Sequence, residues 1–318
     1  MTTSSDNSST RGGGMGDLIP NNKMNTSYDQ KNDNTKKDGA QTLTKTKANS
    51  GNNIDALSDI LGRLDISNND ELLFADPHPR EDCPICLLPM PHANGICGVA
   101  LTYMPCCGKT LCSGCMTTAE EEMSKGTMKS LCPFCRVTTH QSSKEIVKSL
   151  KKRMKLNDAE SFFELGTQYS KGGCGLPQNM NMALKLFRQS AKLGFVSAHF
   201  KLAYEYYHGQ SVEKDTEKAY HHYRLAAIGG HETARYNLGS INICNGNIER
   251  SMRHFIIAAK AGCDTAVKAV GEGYKAGYVT KDEYTKTLRA YQSSCLAMKS
   301  EQRTKAWLLD EEDKSALS

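Results

Sequence analysis

The chain has no run of apolar residues that approaches the ~18 needed to span a bilayer, so no membrane segment is expected. Its opening stretch, MTTSSDNSSTRGGGMGDLIP, has no apolar core of the kind that directs export. A secreted disulfide framework would accompany such a signal and space its cysteines evenly. Of the 13 cysteines here, nine (Cys83, Cys86, Cys97, Cys106, Cys107, Cys112, Cys115, Cys132 and Cys135) crowd into 53 residues. These features predict a cytoplasmic or nuclear chain with reduced thiols, and leave metal binding or catalysis as the use of the cysteines. Catalysis is disfavoured: a redox C-x-x-C needs a βαβ setting that is lacking, and a thiol nucleophile needs a neighbouring base. Basic residues interleaved with aromatics are also lacking in the cysteine window. The formal net charge of +5 counts every cysteine as neutral. Eight thiolates around two divalent ions would lower it to about +1, so no nucleic acid partner is expected.

Residues 1–75 are rich in Ser, Thr, Asn, Asp, Gly and Lys and cannot bury enough apolar surface to offset ordering entropy, which predicts a disordered tail. Within it, IDALSDILGRLDI places Ile54, Leu57, Ile60, Leu61 and Leu64 at helical spacing, as a transient helix or a partner-docking motif would. After the cysteine window, Ile146, Val147, Leu150 and Met154 form one stripe of a linking helix. The adjoining KKRMK reads as a nuclear signal or, more simply, as a solvated helix face.

Three C-x-x-C knuckles stand in the window: CPIC from Cys83, CSGC from Cys112 and CPFC from Cys132. Such a turn aims two sulfurs at one ion, and two turns complete a tetrahedral Zn(Cys)4 site. Three knuckles and the doublet Cys106-Cys107 supply eight ligands, enough for two zinc ions. Cys97 or His92 could replace one member of the doublet. The series C-x2-C, x19, C-C, x4, C-x2-C, x16, C-x2-C resembles the RING finger. That resemblance implies a small α+β domain in which Cys83, Cys86, Cys112 and Cys115 bind one zinc and Cys106, Cys107, Cys132 and Cys135 the other, a cross-brace. It departs from the commoner pattern at Lys109, which stands where most RING fingers have a histidine. At roughly 10–16 kcal/mol per structural zinc, metal would dominate the stability of so small a unit.

The resemblance also implies ubiquitin ligation without a covalent intermediate. A ubiquitin-charged conjugating enzyme is bound, and its thioester is held in a reactive pose. Carried over, Ile85 inside the first knuckle and Pro133 inside the last would pack on the conjugating enzyme. Arg136, after the last cysteine, would bridge ubiquitin and its carrier. Knuckle packing and a solvated surface cation are the plainer roles for these residues.

The remainder repeats. Leu165-Gly166, Leu202-Ala203, Leu238-Gly239 and Val270-Gly271 recur at intervals of 37, 36 and 32 residues, a period of helical-hairpin solenoids. Asn179, Asp215 and Asn247 stand as N-caps, each four residues before a small residue, and Phe187, Tyr223 and Phe255 follow four residues after it. These aromatics are expected to fill the gap between neighbouring hairpins. Gly172, Gly173 and Gly209 end first helices, and Thr280 with Glu283 makes a capping box. ELGTQYSKGGCGLPQNMNMALKLFRQSAKLG and KLAYEYYHGQSVEKDTEKAYHHYRLAAIGG resemble the Sel-1-like repeat, a relative of the tetratricopeptide repeat. A solenoid of this kind offers a concave surface to a protein substrate or partner, with His199, Tyr207, His208, His221 and His222 as polar candidates on it.

The expected fold is therefore mainly α: a disordered tail over 1–75, a RING-type zinc-binding domain over 76–140, a linker helix over 141–156, a repeat solenoid over 157–300 and a C-terminal tail over 301–318. The expected function is a RING-type ubiquitin ligase whose repeats choose the target. The alternative is a zinc-binding interaction scaffold without ligase activity. The repeats are expected to carry their own core and to keep their helices when metal is removed.

Overall fold

Small and apolar residues at helical spacing fold the C-terminal half into antiparallel helix pairs. The computed structural model describes residues 70–76, 79–125, 131–138 and 142–316. The IDALSDILGRLDI segment lies outside the described residues. The pairs are α4 (Ala159–Lys171) with α5 (Met180–Lys192), α6 (Val196–His208) with α7 (Thr216–Ile228), and α8 (Glu232–Cys244) with α9 (Ile248–Lys260). α10 (Asp264–Lys275) and α11 (Lys281–Met298) continue the stack. Ahead of them lie α1 (Asp70–Leu73), β1 (Leu101–Met104), β2 (Lys109–Cys112), α2 (Ser113–Ser124) and α3 (Ser143–Met154), and α12 (Glu301–Ala316) closes the chain.

The repeat register has a steric cause. A Cβ on Gly166 would lie 2.8 Å from the Phe187 ring, and one on Gly239 only 2.5 Å from the Phe255 ring. Each aromatic thus seats on the small residue of its own hairpin, rather than only between hairpins as the sequence suggested. Phe187 also shares a buried cluster with Ala198 and Leu202 of the next pair, so one ring ties two repeats together. Burying such a ring contributes roughly 1.5–3 kcal/mol.

Gly172 (φ 72°) and Gly209 (φ 68°) end α4 and α6 in the left-handed conformation, which costs glycine nothing. Asn179 and Asp215 cap α5 and α7, accepting hydrogen bonds from the backbone N–H groups of Met182 and Lys218 at 3.0 and 2.9 Å. Thr280 and Glu283 cap α11 reciprocally. Asn247 makes no such bond, a correction to its expected role. The shorter α8–α9 connection enters the helix from a different backbone conformation (φ −87°, ψ 68°, against −148° and 93° at Asn179).

The cysteine window forms a small unit around the antiparallel β1–β2 pair, in which Leu101 faces Cys112 and Met104 faces Lys109. Its buried cluster is mostly sulfur: Cys83, Cys112 and Cys132 with Met90, Val99, Met104, Leu111 and Met298 from α11. The linking helix α3 begins with a Ser142–Glu145 capping box and buries Val147 and Leu150. In KKRMK, Lys151 and Lys152 are exposed, but Arg153 pairs with Asp158 at 2.8 Å.

Three expectations need correction. The tail was expected to reach residue 75, yet α1 and Phe74 dock on the repeats and Leu73 is fully buried. The expected C-terminal tail over 301–318 is instead mostly α12, which packs against α2 and buries Arg303 and Ala306. A Cβ on Gly114 would lie 2.6 Å from the Arg303 backbone nitrogen, so the bare glycine is what admits α12 so closely. The expected absence of disulfides fails at Cys97, which is bonded to Cys295 of α11.

The cysteine unit and the repeats are also joined by polar contacts that sequence periodicity does not foretell. Tyr103 donates to Asp158 at 2.8 Å and Thr110 to Glu160 at 2.7 Å. The backbone N–H of Ala93 donates to buried Glu232 at 3.0 Å, and Arg80 reaches Ser294 at 3.0 Å. All of these residues belong to one compact unit, Asn52–Ser318.

Candidate metal centre and partner surface

The first and last knuckles are built alike. Leu87 N–H donates to Cys83 O and Cys83 N–H to Leu88 O; Arg136 N–H donates to Cys132 O and Cys132 N–H to Val137 O, at 2.7–3.0 Å. Leu87 (φ 57°) and Arg136 (φ 60°) take the same left-handed turn directly after their cysteine pairs. The middle knuckle opens α2, with Cys112 at the N-cap. The doublet sits on the β1–β2 turn, where Gly108 (φ 70°) donates to Met104 O at 2.8 Å.

The structure brings Cys83, Cys86, Cys112 and Cys115 together, and separately Cys106, Cys107, Cys132 and Cys135. Within each group all four sulfurs lie within 4.8 Å of one another. Cys83 and Cys115 are 3.8 Å apart, Cys86 and Cys112 3.8 Å, and Cys107 and Cys132 3.7 Å. Four sulfurs placed about 2.3 Å from a common centre form a tetrahedron with edges of about 3.8 Å. Both groups therefore fit a metal ion bound by thiolates. Among the described residues neither Cys97 nor His92 belongs to a group: Cys97 is in the disulfide and His92 lies against Glu232.

Electrostatics explains why such groups want a cation. Burial, then the neighbouring thiols Cys135 and Cys132, push the Cys106 thiol well up. Burial and the thiol of Cys112 do the same to Cys115. At Cys83 burial also opposes charge, but hydrogen bonds from the backbone of Cys112, Cys86 and Ile85 outweigh it and bring the thiol down to about 7. In the second group burial likewise opposes charge at Cys132, but hydrogen bonds from the backbone of Cys135 and Phe134 outweigh it and lower the thiol. Each group thus has a sulfur prepared for ionisation beside others that resist it, and a divalent ion removes that conflict.

The cation next to the first group was missed from the sequence. Arg303 of α12 places Nη2 3.5 Å from the Cys86 sulfur and donates to Leu88 O and Pro89 O at 3.1 and 2.8 Å. It lies 217 residues beyond Cys86, and no local pattern links the two. Lys109, the departure from the commoner pattern, is exposed, and its backbone rather than its ammonium serves the Cys107 thiol.

Ile85 is 44% exposed and Phe134 38%, so the two like-built knuckles carry apolar side chains to the surface. Pro133 is half-buried and Arg136 exposed. On the repeats, His199 and His222 share a hydrogen bond between their Nδ1 atoms at 3.0 Å, and His222 stacks on Tyr206. Burial, then the neighbouring imidazoles, hold His199 down to about 3. His221, Tyr207 and His208 are not part of that pair; Tyr207 and His208 contact each other at an edge.

The family model for the Sel1 repeat matches residues 159–195, 196–231 and 233–263, which are the three pairs α4–α5, α6–α7 and α8–α9. The chain carries three Sel1 repeats. The match stops short of the cysteine window. A Sel1 repeat protein from Oxalobacter formigenes is 28% identical over 40% of this chain and 97% of its own, with a TM-score of 0.38. A protective antigen present in uropathogenic Escherichia coli strains, displaying an SLR fold, is 28% identical over 48% of this chain and 33% of its own, with a TM-score of 0.41. No curated protein matches the chain. No helix among the described residues is long and apolar enough to cross a membrane.

Proposed function

We propose that the cysteine unit is a RING-type zinc module that binds a ubiquitin-charged conjugating enzyme, and that the Sel1 repeats hold the protein to be modified. The observation that carries this reading is the pairing of two sulfur groups of tetrahedral dimensions with knuckles that expose Ile85 and end in Arg136. Zinc suits an all-thiolate donor set and is redox-inert, so it would supply scaffolding and no bond-making chemistry. No thiol of the chain becomes acylated. A lysine amine attacks the thioester carbonyl on the conjugating enzyme, and the released thiolate stays on that enzyme. Ile85 and Pro133 supply apolar contact, and the Arg136 guanidinium donates to carbonyls on carrier and ubiquitin together, which restricts the thioester to attackable poses.

The test is discharge of ubiquitin from charged conjugating enzymes onto free lysine. Ile85→Ala should lower discharge roughly tenfold or more while zinc content stays unchanged, because it removes docking surface and no ligand. Arg136→Ala should slow discharge more than it weakens binding, the sign of a contact made mainly in the transition state. A second reading, a zinc-held interaction scaffold without ligase activity, is favoured by the Sel1 match. It gains if no conjugating enzyme in a broad panel is discharged above background.

A further inference from the structure

A segment outside the repeats occupies a built site on them. The backbone carbonyl of Leu73 accepts a 2.6 Å hydrogen bond from Arg235, whose other nitrogen binds Ala227 O at 2.7 Å. Arg235 is 2% exposed and lies on α8, so it presents a fixed, desolvated donor to an incoming main chain. The Leu73 side chain is fully buried among Ala203, Tyr223, Ala227 and Leu238. Phe74 packs against the buried His254 ring, with ring centres 4.7 Å apart, and against the Arg253 guanidinium, 3.8 Å from its ring centre. His254 has no hydrogen-bond partner on either ring nitrogen among the described residues, and burial followed by the charges of Arg235, Arg250 and Arg253 keeps it neutral. Asp70 closes the site through a two-pronged ion pair with Arg250. Beside Asp70 opens a cavity of ≈ 410 Å³ lined by Tyr220, Arg224, Asn242, Asn245 and Arg250.

We propose that this face of α7, α8 and α9 is a recognition site for a short acidic–apolar peptide of the pattern Asp-x-x-Leu-Phe, and that Asp70–Phe74 is a cis ligand which a partner's peptide must displace. Each element has one task. Arg250 reads the acid, Arg235 reads the main chain, the α7–α8 core takes the leucine, and His254 with Arg253 clamps the aromatic ring. A site that uses a buried arginine to hold a carbonyl is specific for backbone presented in one register. Because the cis segment belongs to the same chain, its effective concentration is high, and a trans ligand pays for displacement with apparent affinity. The inference rests on the repeats being a partner platform and names the partner's chemistry; it does not depend on the cysteine unit being a ligase.

The experiment uses the full chain and a fluorescent peptide DELLFAD, the sequence of residues 70–76. Leu73→Ala/Phe74→Ala in the chain should open the site and tighten peptide binding roughly tenfold or more relative to the wild type. Adding Arg250→Glu should abolish that binding, and a peptide with Lys in place of its first Asp should restore it. Asp70→Lys in the chain removes no buried side chain and should open the site through charge alone, which covers the case in which the double variant fails to fold. Absence of peptide binding to a folded, opened chain would overturn the proposal. Equal binding by wild-type and opened chains, or binding indifferent to Arg250→Glu, would do so too. Loss of discharge activity with peptide binding intact would remove the ligase reading alone.

Discussion

The cysteine unit and the Sel1 repeats solve the same problem, holding a chain in one conformation, by opposite means. In the repeats each residue type recurs at a helical interval, and small residues admit rings, as Gly166 admits Phe187 and Gly239 admits Phe255. Order there is local and redundant, because each pair rests on its neighbours. In the cysteine unit the strands are four residues long and the core is mainly sulfur. Beyond the short β1–β2 pair and that small core, distant segments are gathered at two sulfur groups, so much of the order there depends on a few atoms. The unit also leans on the rest of the molecule through Met298 and Arg303, which come from α11 and α12.

This contrast sets how each region should break. The largest effect is expected at the sulfurs. Cys107→Ser should lose one metal ion and unravel the knuckles, at a cost on the order of several kcal/mol, while the helical circular dichroism of the repeats largely persists. Cys97→Ser should keep the metal content, since Cys97 lies in neither group. A swap of these outcomes would show that the groups do not hold the ions.

A middle-sized effect is expected where the regions meet. Gly114→Ala leaves every cysteine in place but drives a methyl into the α12 backbone, so it should cost about 1–3 kcal/mol and loosen α12. Trp307, the one tryptophan of the chain, sits on α12 with its ring 3.2 Å from where a Cβ on Gly98 would lie. Its fluorescence should shift on this substitution. An unchanged emission spectrum and melting temperature would mean that α12 does not need the close approach.

The smallest effect separates two positions that look equivalent in sequence. Asn179→Ala removes a cap hydrogen bond and should cost about 1 kcal/mol, whereas Asn247→Ala removes none and should change thermal stability little. Equal losses at both sites would contradict the difference in cap geometry.

The same contrast governs what could be read from the sequence. The repeats were legible because their order is periodic: Leu-small pairs, cap residues and the glycines at 172 and 209 each report a local geometry. Asn247 misled because a cap depends on how the chain enters the helix, which a shortened loop changes. The knuckles were legible as C-x-x-C turns, but spacing alone leaves open which turn shares a group with which. Arg303, Met298 and the Cys97–Cys295 disulfide were invisible, since each links residues about 200 positions apart with no motif between them. The docking of Leu73 and Phe74 was hidden for a different reason. A short apolar run, Leu72–Phe74, in a polar stretch carries no period, and its place is given by an apolar cluster and the arginines of the repeats.

The claim on which the account turns is that each sulfur group holds one zinc ion, and the most direct measurement is elemental analysis of the purified full-length chain. The account predicts about two zinc ions per chain, falling to about one in Cys107→Ser and staying at about two in Cys97→Ser. A chain that is folded and helical with no zinc, with a single zinc, or with iron in its place would contradict it.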